Sequence, residues 1–354
     1  MADKVLMKGN EAIAEAAIRA GCRHYFGYPI TPQTEVAAYM AKRMPKIGGV
    51  FLQAESEISA INMVYGVAGA GYRVMTSSSS PGISLKQEGI SYLAGSDLPA
   101  LIVNVQRGGP GLGGIQPSQS DYFQATRGGG HGDYHLIVLA PSSVQEMADL
   151  TILAFDLADR YRVATMLLAD GTMGQMMEPV ELPETVEYEK IDKSWAVTGT
   201  QMKRKHNIVN SLYLSPEKLE QTNFERFERY KQIEENEARY ESFMMEDAEY
   251  CVVAYGITSR VSKNAVIAAR EQGIKVGMIR PITLWPFPKK AIADVADQVK
   301  AFISVELSMG QMIEDVKLAS ECKKPVVLCN RVGGVITTPE QVLKTIIKTA
   351  GGAE

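Results

Sequence analysis

Cysteine is scarce and scattered in this chain. Cys22, Cys251, Cys322 and Cys329 are its four cysteines, and no two of them form a C-x-x-C pair. That spacing argues against a disulfide framework in a chain of this size. It also argues against a structural zinc site, whose ligands come in close pairs, and against an iron–sulfur cluster carried by this chain alone. The four are read as free buried thiols. Positive charge is not in excess either: 37 Lys and Arg face 41 Asp and Glu, for a formal net charge of −4, and no basic cluster stands out. This argues against a nucleic-acid binder. No apolar run reaches the roughly 18 residues needed to span a membrane. The first residues, MADKVLMKGNEAIAEA, are charged and amphipathic and lack a signal-peptide core. A cytoplasmic protein that touches neither nucleic acid nor membrane is expected.

What is present is the composition of a globular protein, 45% hydrophobic and 22% charged over 354 residues, enough for two or three domains. Through residue 185 short apolar runs alternate with helical patterns. HYFGY, VFLQ (50–53), YRVMT (72–76), LPALIVNV (98–105), HLIVLA (135–140) and VATMLLAD (163–170) read as buried strands of a parallel sheet. GNEAIAEAAIRAG places Ile13, Ala17 and Ile18 on one helical face, closed by Gly21. The alternation predicts a doubly wound α/β domain over 1–185. Residues 186–247 break it. Ser215-Pro216 reads as a helix cap, and the charged stretch after it, with Leu219, Phe224, Phe227 and Tyr230 about a turn apart, reads as a long exposed helix in a linker. YCVVAYG, KVGMIRPI, AFISVEL and PVVLCNRV then predict a second, smaller α/β domain over 248–354.

Several stretches could carry chemistry. Glycines crowd RGGPGLGGIQPSQSDYFQATRGGGHGDYH after the strand LPALIVNV, at the sheet edge where α/β proteins bind ligands. Residues 109–114 form a formal G-x-G-x-x-G, but Pro117 blocks the helix that a dinucleotide turn requires, so a glycine-rich active-site or interface loop is the better reading. His131 and His135 have a metal-compatible spacing, yet the surrounding glycines argue against a helix and leave them as polar loop residues. TSSSSPG (76–82) offers hydroxyls and free N–H groups at a coming helix, which suits either an anion or ordinary capping. YPITP (28–32) fixes the backbone around Thr31 between prolines. Glu55 and Glu57 in QAESEISAIN stand at a helix start, where glutamates also serve as dipole partners. Arg107, between the strand and the glycine loop, could bind a carboxylate in bidentate fashion.

Together these pieces resemble a known family. KGNEAIAEAAIRAGC, YFGYPITPQTE, QAESEISAINMVYGVAGAG, TSSSSPGISLKQEGISYLAG, the Arg107 glycine loop with QPSQSD, and SSVQEMADL resemble the alpha subunit of the 2-oxoacid:ferredoxin oxidoreductases, in particular the branched-chain (2-ketoisovalerate) type. RPITLWPFP and ELSMGQM extend the likeness into a C-terminal part similar to the transketolase C-terminal domain.

The resemblance implies two doubly wound domains, an N-terminal thiamine-diphosphate pyrimidine-binding-like domain and the transketolase C-terminal-like one. It implies CoA-dependent oxidative decarboxylation of a 2-oxoacid to acyl-CoA, CO2 and reduced ferredoxin. Glu57 matches the glutamate that protonates the cofactor's pyrimidine, with Glu55 as its competitor. Pro29, Ile30 and Ser79 join Glu57 beside the cofactor, and Thr31 and Arg107 match substrate contacts, Arg107 taking the carboxylate. The family's diphosphate–Mg²⁺ motif, GDG followed by Asn, is missing, since Asp170-Gly171 lies in ADG with no Asn before Asn207. Mg²⁺ and [4Fe-4S] clusters are therefore expected on partners: a beta subunit with the diphosphate site, and a gamma or ferredoxin-like delta subunit, with no metal on this chain. Three alternatives stand beside this reading. The substrate could be 2-oxoglutarate, the chain could be an NAD-binding dehydrogenase, or it could be a structural subunit without chemistry.

Overall fold

The computed structural model describes residues 4–184 and 186–351. In chain order the first part runs β1 (Val5–Lys8), α1 (Gly9–Arg19), β2 (His24–Gly27), α2 (Thr34–Arg43), β3 (Val50–Gln53), α3 (Glu57–Gly69), β4 (Val74–Ser78) and α4 (Ser80–Gly95). Then come β5 (Leu101–Gln106), α5 (Tyr122–Thr126), β6 (Ile137–Leu139), α6 (Val144–Tyr161), β7 (Thr165–Asp170), α7 (Gly171–Gln175) and β8 (Met177–Val180). After a long irregular stretch follow α8 (Pro216–Glu237), β9 (Tyr240–Phe243), β10 (Tyr250–Ala254), α9 (Gly256–Glu271), β11 (Val276–Pro281) and β12 (Thr283–Trp285). The chain closes with α10 (Lys289–Ala296), β13 (Ala301–Glu306), α11 (Met312–Ala319), β14 (Val326–Asn330) and α12 (Pro339–Thr349).

Every apolar run named above forms a strand. Two mostly parallel sheets result, of order β12-β6-β7-β5-β4-β2-β3 and β14-β13-β10-β11-β9, with a small antiparallel pair β1-β8. β4, β5 and β7 are buried along their whole length, as parallel strands covered on both faces must be. Each large sheet carries one antiparallel edge strand, β12 in the first and β9 in the second.

Those two edge strands tie the halves together. β12 lies within 248–354 in sequence, yet it pairs with β6 of the first sheet, Thr283 opposite Leu139 and Trp285 opposite Val138. The reason is the Trp285 ring, which stacks on His135 (centroids 4.5 Å apart, planes 12° apart) and meets Tyr230 of α8 edge-on. β9, from within 186–247, completes the second sheet beside β11.

α8 is capped as its sequence predicts, Ser215 accepting from the Lys218 N–H, but its buried face differs from the apolar spacing. Leu219 and Phe224 are exposed and Phe227 is only partly covered, whereas Thr222, Arg226, Tyr230, Ile233 and Glu237 are buried. Arg226 and Arg229 pair with Asp97 at the end of α4, and Glu237 accepts from Tyr161 and pairs with Arg239. Ion pairs let charged residues occupy the packed side of a helix. Cys22, Cys251 and Cys329 are buried free thiols, while Cys322 is a free thiol on the surface, in contrast to the expectation for all four. Among the described residues no helix is long and apolar enough to cross a membrane.

Candidate active site

The carboxyl ends of β2, β4 and β5 point to one region. β4 ends in a run of serines that leads into α4 with Pro81 in its first turn. Ser80 locks the neighbouring strand in place: its hydroxyl accepts from the Arg107 N–H (3.0 Å) and donates to Asp121 (2.6 Å), which also accepts from Asn104 (2.9 Å). Burial pushes the Asp121 carboxyl up, against these hydrogen bonds. The turn after β2 is held as firmly. Tyr25 hydroxyl meets Ser77 Oγ at 2.7 Å, Ser77 donates to Gln33 Oε1 at 2.5 Å, and Asn10 donates to the Pro32 carbonyl at 2.8 Å.

Glu57 is the first residue of α3, behind a Ser56 cap that accepts from the Ser59 N–H at 3.2 Å. It is 6% exposed, and its carboxylate has no hydrogen-bond partner among the described residues. Glu55 differs on both counts: it is exposed and takes a hydrogen bond from the Ser59 hydroxyl, which holds it below the usual carboxylate range. Space for the Glu57 side chain comes from Gly82, where an added Cβ would overlap Ser78 Oγ and lie 2.6 Å from Glu57 Oε1. At the carboxyl ends of β4 and β5 four buried polar atoms lack partners among the described residues: Ser78 Oγ, which lies beside Gly82, Ser79 Oγ, Asn104 Oδ1 and Arg107 Nε. Buried polar groups are almost always paired, so a cluster of unpaired ones at a sheet edge fits a polar ligand.

Arg107 is 7% exposed. It donates from Nη1 to the Thr31 carbonyl (3.0 Å) and from Nη2 to the Leu112 carbonyl (3.1 Å), and it forms no ion pair among the described residues. A buried guanidinium whose partners are neutral carbonyls keeps a charge that suits an anion. Thr31 is thereby brought to Arg107, though through its backbone oxygen. Its side chain borders a cleft of about 450 Å³ shared with Gln116, Thr172 and Ile336. Pro29 is exposed and Ile30 half-buried in the same turn. A second cavity of about 450 Å³ lies between Ser80, Asp121 and Gly111 on one side and Met309 and Gln311 on the other.

The glycine loop folds on itself rather than onto a helix. Gly114 N–H bonds the Gly108 carbonyl (2.9 Å) and Gly108 N–H bonds Gln116 (2.8 Å), and Gly113, at φ +57°, leaves no room for a Cβ beside Gly108. The next helix begins only at Tyr122, so a dinucleotide turn is not formed. QPSQSD and the Tyr122 that follows it instead fasten the two halves: Gln119 donates to the Tyr255 carbonyl (2.9 Å) and accepts from Leu307 N–H (3.0 Å), while Tyr122 donates to Asp315 (2.6 Å). Asp170 of the ADG sequence caps α7, accepting from Thr172 and Met173 N–H. His135 sits in the aromatic cluster with Trp285, apart from His131, which faces Tyr92 edge-on. Among the described residues no group of three or more His, Cys, Asp or Glu could hold a metal.

Sequence reasoning missed Lys86, which is fully buried on α4. Its signal was present: Ile83, Lys86, Ile90 and Leu93 follow helical spacing, so a lysine occupies an apolar stripe.

Residues 15–246 match the family profile described as pyruvate flavodoxin/ferredoxin oxidoreductase, thiamine diP-bdg. Residues 248–342 match pyruvate:ferredoxin oxidoreductase core domain II. The chain belongs to the 2-oxoacid:ferredoxin oxidoreductase family, as an alpha-type subunit. It is 55% identical to the ketoisovalerate oxidoreductase subunit VorB of Methanothermobacter marburgensis over 98% of both chains. It is 36% identical to the 2-oxoglutarate synthase subunit KorA of Methanothermobacter thermautotrophicus, over 98% of this chain and 99% of that one. Among solved structures, the 2-oxoglutarate:ferredoxin oxidoreductase of Magnetococcus marinus, with 2-oxoglutarate, coenzyme A and succinyl-CoA bound, superposes with a TM-score of 0.86 at 28% identity, over 98% of this chain and 65% of that one. A split-gene transketolase shares the fold at a TM-score of 0.60 and 12% identity, over 97% of both chains.

Proposed function

We propose that this chain is the pyrimidine-side subunit of an enzyme that oxidatively decarboxylates a branched-chain 2-oxoacid, ketoisovalerate, to its acyl-CoA, with CO2 and reduced ferredoxin as the other products. The observation that carries the reading is Glu57, a residue only 6% exposed whose carboxylate has no hydrogen-bond partner among the described residues, set against Gly82 and beside the unpaired Ser78 hydroxyl. That surrounding suits a flat, polar heterocycle such as an aminopyrimidine. Thiamine diphosphate, when bound, supplies the nucleophilic carbon and the electron sink for decarboxylation. Glu57 holds and moves a proton at a ring nitrogen. Ser79, with Pro29 and Ile30 across the turn, borders the ring, and Arg107 with Thr31 orients the substrate by its carboxylate.

The division into 1–185, 186–247 and 248–354 gives the first unit the cofactor, the second the crossing helix, and the third the docking against the glycine loop. The diphosphate and its Mg²⁺ belong to a beta subunit, since Asp170 is spent on capping α7. The [4Fe-4S] clusters belong to gamma or delta subunits that pass electrons to ferredoxin. Free thiols suit a reducing, cytoplasmic setting. The branched-chain substrate is favoured over 2-oxoglutarate by the 55% identity to the ketoisovalerate oxidoreductase subunit, against 36% for the 2-oxoglutarate synthase subunit. The test is 2-oxoacid-dependent dye reduction by the complex assembled from this chain and its partners, with coenzyme A and thiamine diphosphate. Ketoisovalerate is expected to be turned over faster than 2-oxoglutarate. The reverse order moves the substrate to 2-oxoglutarate, and no activity with either removes the reading.

A further inference from the structure

Lys86 presents a charge in a place where charges are expensive. Its side chain is fully buried between α4 and α3. Its ammonium donates to the Thr76 hydroxyl at 3.1 Å and to the main-chain carbonyl of Glu57 at 3.4 Å, and it makes no ion pair at hydrogen-bond distance among the described residues. Lys86 stands one helical turn after Gly82, so residues 82 and 86 face the same side of α4. Gly82 leaves the space for the Glu57 carboxylate, and Lys86 brings a cation to the start of the helix that carries it. From β4 the facing group is the neutral Thr76 hydroxyl, and from α3 it is Glu57, whose charge acts on Lys86.

We propose that Lys86 is a positioning residue for Glu57, a buried cation that balances the Glu57 carboxylate, which no described residue hydrogen-bonds. This rests on Glu57 being the group that serves the cofactor. Burial alone explains nothing about why a lysine is there: a methionine of similar length would fill the same stripe without the desolvation penalty. Burial depresses the ammonium to about 8, and the Glu57 carboxylate opposes that shift. The sign of the stability effect follows. A lysine whose folded value lies below its unfolded value binds more protons unfolded, so the fold gains stability as pH rises from about 8 toward 10.5 and carries the full penalty below 8.

Lys86→Met and Lys86→Arg separate this role from simple packing. In the assembled enzyme Lys86→Met is expected to lose roughly 10- to 100-fold in turnover, the scale of a positioned acid–base partner, while the melting temperature of the chain at pH 7 stays the same or rises. Lys86→Arg, which keeps the charge, is expected to recover part of the turnover and to lose any fall in activity above pH 8, because a guanidinium does not titrate there. A readout independent of turnover is the ¹³Cε-lysine resonance missing from Lys86→Met, titrated in the full chain. Its midpoint should fall by about one pH unit or more in Glu57→Gln, through loss of a nearby opposite charge. An unchanged midpoint overturns the proposal, and so does Lys86→Met turnover within about twofold of the parent. Normal turnover in Glu57→Gln is a different result: it removes the role of Glu57 and the proposal with it, whereas an inactive Glu57→Gln beside an active Lys86→Met removes only the role of Lys86.

Discussion

Glu57 in the first half and Glu306 in the second are both buried glutamates at a strand-to-helix junction, and they are treated in opposite ways. Glu306 accepts from Ser304 and Ser308 hydroxyls and from the Gln311, Met312 and Ile313 N–H groups, all between 2.8 and 2.9 Å. Glu57 accepts none among the described residues, and the unpaired Ser78 hydroxyl stands across Gly82 from it. A buried carboxylate normally needs bonds of the kind Glu306 has. Glu306 spends its lone pairs on closing the loop into α11. Those of Glu57 are taken up by no protein group among the described residues.

The largest expected effect tests the Glu57 side. Glu57→Gln should reduce turnover of the assembled enzyme by about 10²–10⁴ while leaving the melting temperature of the chain near the parent value. Glu306→Ala should do the reverse within the chain. It strands three N–H groups and two hydroxyls in the interior, and a loss of more than about 3 kcal/mol is expected in chemical denaturation. If Glu306→Ala were as stable as the parent, the contrast between the two glutamates would collapse.

Arg107→Lys sharpens the same contrast at the substrate end. It keeps the charge but loses the planar fork, and charged hydrogen bonds contribute about 1.5–3 kcal/mol. Substrate use should weaken by roughly 10- to 150-fold, and by a similar factor for each accepted 2-oxoacid, measured as kcat/KM. A change in preference among side chains with overall activity retained would place Arg107 in the side-chain pocket. Thr31→Val should have the smallest effect, about 1 kcal/mol or roughly fivefold in KM, since the contact that already exists from Thr31 to Arg107 is made by its backbone carbonyl.

The parallel strands of both sheets were legible because such strands are apolar on both faces and short, so each appears as a bounded hydrophobic run; the antiparallel edge strand β9 was not, since it lies in the charged stretch read as linker. Nor was β12, because three residues ending at Pro286 carry too little pattern, and its placement depends on Trp285 finding His135 far away in sequence. The face of α8 was misread for a related reason. Apolar spacing singled out Leu219 and Phe224, while the packed side is held by Arg226 and Glu237 through distant partners such as Asp97 and Tyr161. At the site, Glu57, Thr31 and Arg107 were reached by type, position and resemblance. The preference for Glu57 over Glu55 gains physical support from burial, which a sequence does not print. Lys86 was passed over because a lysine reads as solvent-facing until the stripe around it is counted.

Dye reduction with ketoisovalerate by the complex assembled with the Glu57→Gln chain measures directly whether Glu57 is kept for a ligand. A fall of at least about 100-fold with normal assembly is the predicted result. Near-normal turnover by that complex would contradict it and turn attention to Glu55.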